Sequence, residues 1–231
     1  MKKLIYITAF LFGFSSMVNA AGIQGINAGV SLTAGVFDAS GEEIFSGDHV
    51  SNASSTKVIK KSSAEGDDVE TLFGFGSLFL EAQINDTIAL GIDFVPQSLD
   101  SETTENVQGS DASGSARVTN KVDVSFEDMR TIYAMVTTEV GAYFKIGYTE
   151  VDVKTNENLG TGGKYGDTTL EGMILGVGYT HNLADGMFVR AEGNLMEFDS
   201  VTLTNTADSN KSIKADDIEG YGARISIGKS F

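Results

Sequence analysis

The chain has no cysteine, no tryptophan, one proline (Pro96) and two histidines in its 231 residues. Without cysteine, neither a disulfide framework nor a thiolate metal site can form. No segment reaches about 18 consecutive apolar residues, which excludes a membrane-spanning helix. Basic residues are scarce: 16 Lys and Arg stand against 32 Asp and Glu, a formal charge of -16. A nucleic-acid partner is therefore excluded, because such binding needs a basic footprint. What remains is 27 glycines and 41% hydrophobic residues, a composition suited to many strands and turns.

The ends of the chain carry signals of their own. Lys2-Lys3, an apolar stretch from Leu4 to Phe14, and Ser15-Ser16-Met17-Val18-Asn19-Ala20 follow the n-, h- and c-region plan of a secretory signal peptide. Cleavage is expected after Ala20, leaving residues 21–231 as one domain, since the apolar run is too short to serve as a comfortable membrane anchor. From Tyr221 to Phe231 the residues alternate: Tyr221, Ala223, Ile225, Ile227 and Phe231 against Gly222, Arg224, Ser226 and Gly228. With Tyr221, Ile225, Ile227 and Phe231 on its oily face, this strand resembles the sorting signal of bacterial outer-membrane β-barrels. Lys229 departs from that pattern, and a lysine there can snorkel to the headgroups.

Parity predicts eight strands: Ile26–Val36, Leu72–Gln83, Thr87–Val95, Val124–Val136, Ala142–Thr149, Gly172–Thr180, Met187–Leu195 and the C-terminal segment. Segments of about 9–11 residues suffice to cross hydrocarbon when tilted. Short turns follow the second, fourth and sixth strands, at Asn85-Asp86, Thr138–Gly141 and Asn182–Gly186, while long polar stretches follow the others. Those stretches, 38–70, 97–120, 150–171 and 197–219, hold 23 of the 32 acids, so charge is concentrated at one end. The fold class expected is all-β: an eight-stranded antiparallel transmembrane β-barrel with short periplasmic turns and long, acidic extracellular loops. A soluble β-sandwich is the rival. Two strands leave their register open: Glu81 shares a parity with Phe79 unless a bulge lies near Gly74–Gly76, and Asp128 and Arg130 fall on the outward parity of Ile132.

With no tryptophan, interfacial anchoring is expected to fall to Phe37, Phe73, Phe94, Phe126, Tyr148, Phe198 and Tyr221 near the loops. Phe144, Tyr179, Phe188 and Phe231 are expected to serve near the turns. Inward parity assigns Glu81, Asp93 and Glu192 to the lumen together with Lys145, Arg190 and Arg224. Three acids and three bases at one level imply an ion-pair network, because unpaired charges there are costly to desolvate. An eight-stranded barrel is just wide enough for its own side chains. The network is thus read as a plug, with a narrow ion path as the alternative.

Taken together, the chain resembles the small outer-membrane barrels of the OmpA-transmembrane-domain/OmpX type, in architecture more than in motif. The resemblance implies an integral outer-membrane protein with a structural or cell-surface interaction role. The alternatives are a low-conductance porin-like channel and, third, a surface enzyme. It also implies outer-membrane lipid and lipopolysaccharide, periplasmic chaperones and the barrel-assembly machinery as partners, with any surface ligand unnamed. No cofactor and no metal site is expected. For catalysis the chain offers only His49, after Asp48 and before Ser51, in a loop without a supporting constellation, and His181 at a turn. Gly160–Gly166 lacks the spacing of a phosphate loop, and Asn52-Ala53-Ser54 is an incidental acceptor match. The acid pairs Asp67-Asp68 and Asp216-Asp217 have no calcium-loop context, and diffuse divalent-cation association is the most they suggest.

Overall fold

The computed structural model describes residues 22–45, 57–62, 71–101, 104–108, 118–160 and 162–231. The signal-peptide reading, His49, Asn52 and Asp67-Asp68 lie outside them. Alternating sequence becomes twelve strands: β1 (Gly25–Phe45), β2 (Lys57–Ser62), β3 (Thr71–Gln83), β4 (Ile88–Phe94), β5 (Leu99–Asp100), β6 (Thr104–Gln108), β7 (Val118–Thr137), β8 (Ala142–Leu159), β9 (Thr168–Asn182), β10 (Met187–Phe198), β11 (Val201–Thr204) and β12 (Lys211–Ser230). Eight of them, in the order β1-β3-β4-β7-β8-β9-β10-β12, pair antiparallel with their neighbours. β12 then pairs back onto β1, from Asn27↔Ser230 to Asp38↔Glu219. The sheet closes into an eight-stranded antiparallel barrel, which removes the edges that an open sheet would present. Phe231 finishes the ring, its N–H donating to the Ile26 carbonyl at 2.8 Å.

Tight connections lie at one end of the barrel. Asn85 Oδ1 accepts the N–H groups of Thr87 and Ile88 at 2.9 and 2.8 Å, an Asx turn that fixes the first hairpin. The third hairpin needs two residues in the left-handed region, Asp185 at φ 58° and Gly186 at φ 74°.

At the other end the strands run further than hydropathy predicts. β1, β7, β8 and β12 are 21, 20, 18 and 20 residues long. The expected loop starts at Asp38 and Glu150 are instead strand, because beyond the lipid both faces of a ladder can be polar and Val, Thr and Ile sustain the pairing. β2 and β11 flank β1 and β12 there, giving a four-stranded extension ordered β11-β12-β1-β2.

Side-chain parity follows the pleat. Val30, Leu32, Ile132, Ile146, Val177 and Ile225 face out and stay exposed, a band of aliphatic surface that fits lipid. Pairing of β1 with β3 is unbroken, so Glu81, Phe79 and Phe75 all face in. In β7 a bulge between Glu127 and Arg130, with Asp128 at φ 49°, restores the inward parity above it.

The aromatic expectation needs correcting. Tyr148, Tyr221, Phe144, Tyr179 and Phe231 face out, but Phe188 is 2% exposed and Phe198 9%. Phe37, Phe73 and Phe126 pack with Phe198 in an apolar cluster fed by β7, β8, β9, β10, β11 and β12. These rings fill the barrel rather than anchor it. Their space comes from glycine on the neighbouring strand. Gly29↔Phe79, Gly35↔Phe73, Gly91↔Tyr133, Gly178↔Tyr143, Gly172↔Phe198 and Gly228↔Phe188 are directly paired residues. In each, a Cβ on the glycine would collide with the ring lying across it. Without those bare wall positions, six inward rings would overfill so narrow a barrel.

Candidate functional site: charge layer, aromatic chamber and seam

The lumen is organised in layers. All six charged residues assigned to the interior are buried, between 1% and 8% exposed. The structure brings them together as three pairs. The Arg190 guanidinium grips Glu81 with two nitrogens, Nη2–Oε2 being 2.8 Å. Arg224 Nη1 lies 3.0 Å from Asp93 Oδ2, and Lys145 Nζ 2.5 Å from Glu192 Oε1. Neutral donors complete the carboxylates: Asn27 and the Tyr133 hydroxyl donate to Glu81 at 3.0 and 2.8 Å, and Tyr143 to Glu192 at 3.0 Å. The Ser77 hydroxyl donates to Asp93 at 3.2 Å, and Arg224 donates to Thr33 at 3.0 Å. Rings take the guanidinium face, with Phe188 4.6 Å from Arg190. Saturated this way, buried ions are tolerable, and the layer closes the barrel's middle. A void of about 10 Å³, no larger than one water, lies within it.

Above this layer, towards the loops, the lumen turns apolar. Phe37, Phe73, Phe75, Phe126 and Phe198 surround a cavity of about 230 Å³ with Met129, Val151, Leu170 and Met196. Sequence reasoning missed it. The signal was present, since Phe37 shares the inward parity of Thr33, and Phe73 that of Phe79. Position near the loops assigns these rings to the membrane interface instead.

The chamber is not enclosed. Its lining also includes Leu72, which is 81% exposed, together with Gly74, Gln97, Leu99 and Asp100 on the wall between β3 and β5. β1 follows β3 up to Phe37↔Thr71, whereas β4 leaves β3 at Leu78↔Phe94. Beyond Phe94 the chain turns away through Pro96, which has no N–H to donate, and β5 pairs β7 instead. β3 from Thr71 to Ser77 thus has a ladder on one side only among the described residues. The result is a seam in the wall beside the chamber, at the upper edge of the aliphatic band.

Other candidates settle elsewhere. Tyr221, Ile225 and Ile227 share the outer face of β12, with Phe231 just past its end, all well exposed. His181 sits exposed at the turn end. Of the Gly160–Gly166 run, Tyr165 and Gly166 fold back on β8, Glu157 accepting their N–H groups at 2.8 and 3.0 Å. Among the described residues no cluster of three or more His, Asp or Glu could hold a metal ion.

No protein-family model and no curated protein sequence matches the chain. Solved structures do. OprG, an outer membrane protein of Pseudomonas aeruginosa, superposes with a TM-score of 0.50 at 11% identity, covering 90% of this chain and 95% of that one. Ail of Yersinia pestis, the attachment invasion locus protein, gives 0.39 at 10% identity over 90% and 100%. The outer membrane protease OmpT of Escherichia coli gives 0.41 at 10% over 93% and 100%. The chain has the fold of the small bacterial outer-membrane β-barrels, and at these identities the likeness concerns fold alone.

Proposed function

We propose that this outer-membrane barrel passes a small apolar molecule from its loop end into the aromatic chamber and out sideways, through the seam, into the membrane. The carrying observation is the coincidence of the chamber with the one-sided stretch of β3. Among the described residues β3 has no ladder on its β4 side from Thr71 to Ser77, so the wall beside the chamber is least closed there. Straight passage is blocked by the charge layer, which keeps the expected plug but assigns it a role: ions and polar solutes stop, and apolar ones turn aside. Catalysis has no support among the described residues.

The test uses vesicles with a lipopolysaccharide outer leaflet, comparing entry of toluene with and without the protein. Wild type is expected to speed entry, and Gly74→Phe to abolish the gain. Gly74 tolerates a Cβ, its nearest neighbour being the Thr33 carbonyl oxygen at 3.8 Å, so the variant is expected to fold with its ring on the outer face of β3, where Gly74 lines the opening. No acceleration by wild type would sink the proposal. Steady ion openings in the same membrane would favour the porin reading instead.

A second reading, surface interaction, rests on the four-stranded extension. A sheet raised above the membrane on β1 and β12 is a platform a partner could recognise.

A further inference from the structure

A short stretch of chain, residues 95–98, runs beside the seam and is held from one strand. Val95 is 2% exposed, and its N–H donates to the Met129 carbonyl at 2.9 Å. Beyond the stretch, Leu99 pairs with Phe126, and the Ser101 N–H donates to the Val124 carbonyl at 2.7 Å. These anchors are all on β7. Towards β3 the last pair is Leu78↔Phe94.

The single-sided part of β3 faces this stretch. In the register of β4 on β7, odd-numbered residues bond to β7, as Val95 does to Met129, so the even-numbered ones bond to β3. Phe94 thus bonds Leu78, and alternation turns the peptide groups of Gly76, Gly74 and Leu72 the same way, into the seam. A side chain at Gly74 or Gly76 would lie on the outer face, since Phe75 and Ser77 are buried inside. Across that bare wall lies Gln97, which is half-buried. Its Nε2 is 3.8 Å from where a Cβ on Gly76 would stand, and the outward-facing Leu32 reaches the same spot at 3.7 Å. Gln97 also lines the chamber, so its side chain spans the opening from the β7 side to β3. No hydrogen bond holds its amide to the described residues, so swinging it aside breaks none. An apolar side chain packed on Leu32 would seal the gap; an amide can exchange Gly76 for headgroup water.

We infer that Gln97 is the latch of the seam: its side chain lies across the opening against Gly76, and solute leaves the chamber when it swings out to the headgroups. Residues 96–98 turn with it on their β7 anchors. This rests on the chamber being a ligand path, as proposed above.

The chain has no cysteine, so Gly76→Cys with Gln97→Cys supplies the only two thiols. Gly76 has room for the change, a Cβ there meeting nothing closer than 3.7 Å. Toluene entry into the same vesicles is followed before oxidation, after it and after reduction, with the fraction bridged read from the thiols left free. Bridging is expected to bring entry down to the rate of protein-free vesicles, and reduction to restore it. Each single-cysteine variant should ignore the oxidant. Gln97→Ala, which needs no bridge, is expected to admit toluene several-fold faster than wild type. A bridged barrel that still passes toluene, or a Gln97→Ala rate equal to wild type, overturns the latch and leaves the path intact. So does a pair that bridges neither by oxidation nor with a short bifunctional thiol reagent, because the two positions then do not meet. No acceleration by wild type overturns both.

Discussion

At the scale of single residues, Arg190 has the most to lose. Its fork meets both oxygens of Glu81, its Nε donates to Thr180 at 3.2 Å, and Phe188, Phe79 and Tyr143 lie against its plane. Arg190→Ala leaves Glu81 charged and unpaired, an expected loss of about 3–5 kcal/mol in urea unfolding from lipid vesicles. Arg190→Lys should not restore it, because an ammonium cannot reproduce the two-pronged contact. The double change Glu81→Gln with Arg190→Met should recover most of the loss, since it removes both ions at once. If the single and double variants unfolded alike, the pair would not be the source of the effect. Gly91 tests the complementary idea, that bare wall makes room for rings. A Cβ there meets the Tyr133 ring and hydroxyl, and Tyr133 donates to Glu81. Gly91→Ala is expected to cost about 1–3 kcal/mol, with a shifted Tyr133 signal, whereas Gly193→Ala, where a Cβ meets nothing within 4 Å, should be neutral.

At the scale of elements, the β8–β9 hairpin shows what holds the barrel's upper part once lipid no longer does. Asp167 accepts the Thr155 N–H at 3.1 Å and lies 3.1 Å from Lys154 Nζ, pinning the return of the chain. The Thr155 N–H first, then the Lys154 ammonium, hold the Asp167 carboxyl below its ordinary value of 3.8. A carboxyl lowered in the folded state stabilises above its unfolded value, and that contribution is lost as pH falls through the folded one. The protection of the Thr155 amide, its exchange rate relative to a free amide at the same pH, is thus expected to hold at neutral pH and to fall below about pH 4, with Asp167→Asn abolishing the dependence. Such contacts explain which parts of the molecule could be read beforehand. Alternation at Val30–Thr33 or Ile225–Ser226 is enforced by lipid on one side and lumen on the other, so parity identified the staves and the six lumenal charges. Partner choice among those charges depends on register between strands far apart in sequence, as with Glu81 and Arg190, and alternation is silent on it. Parity places Phe37, Phe73 and Phe198 in the lumen against their position near the loops, whereas Phe126 is turned inward only by the bulge at Asp128, which alternation does not show. The seam was hidden for another reason: Pro96 marks where β4 cannot continue, but only the pairing of β3 with β1 up to Thr71 shows that a wall is left single-sided.

At the scale of the whole molecule, the proposed path would separate two kinds of permeability that a water-filled pore would join. Ions need a continuous wet path, and the charge layer leaves a void of about 10 Å³ beside Thr33, Asp93 and Asn194. An apolar solute needs only the chamber and the seam, both above that layer. Wild type in a planar bilayer is therefore expected to show no steady conductance while still speeding toluene entry. Conductance should appear when Lys145 and Glu192 are both replaced by alanine. Those two side chains are what cover the wall at Gly176, where an added Cβ would meet Glu192 Cδ at 3.0 Å and Lys145 Cε at 3.2 Å. Truncating both leaves glycine behind alanine, a gap lined by Arg224 and the Tyr143 hydroxyl, polar enough to fill with water. Gly74→Phe in the same background should stop toluene and leave that new current untouched, because the seam lies outside the ion path. Loss of both together would mean that a single pore carries them, and the division of the lumen into a sealed floor and a sideways exit would have to be abandoned.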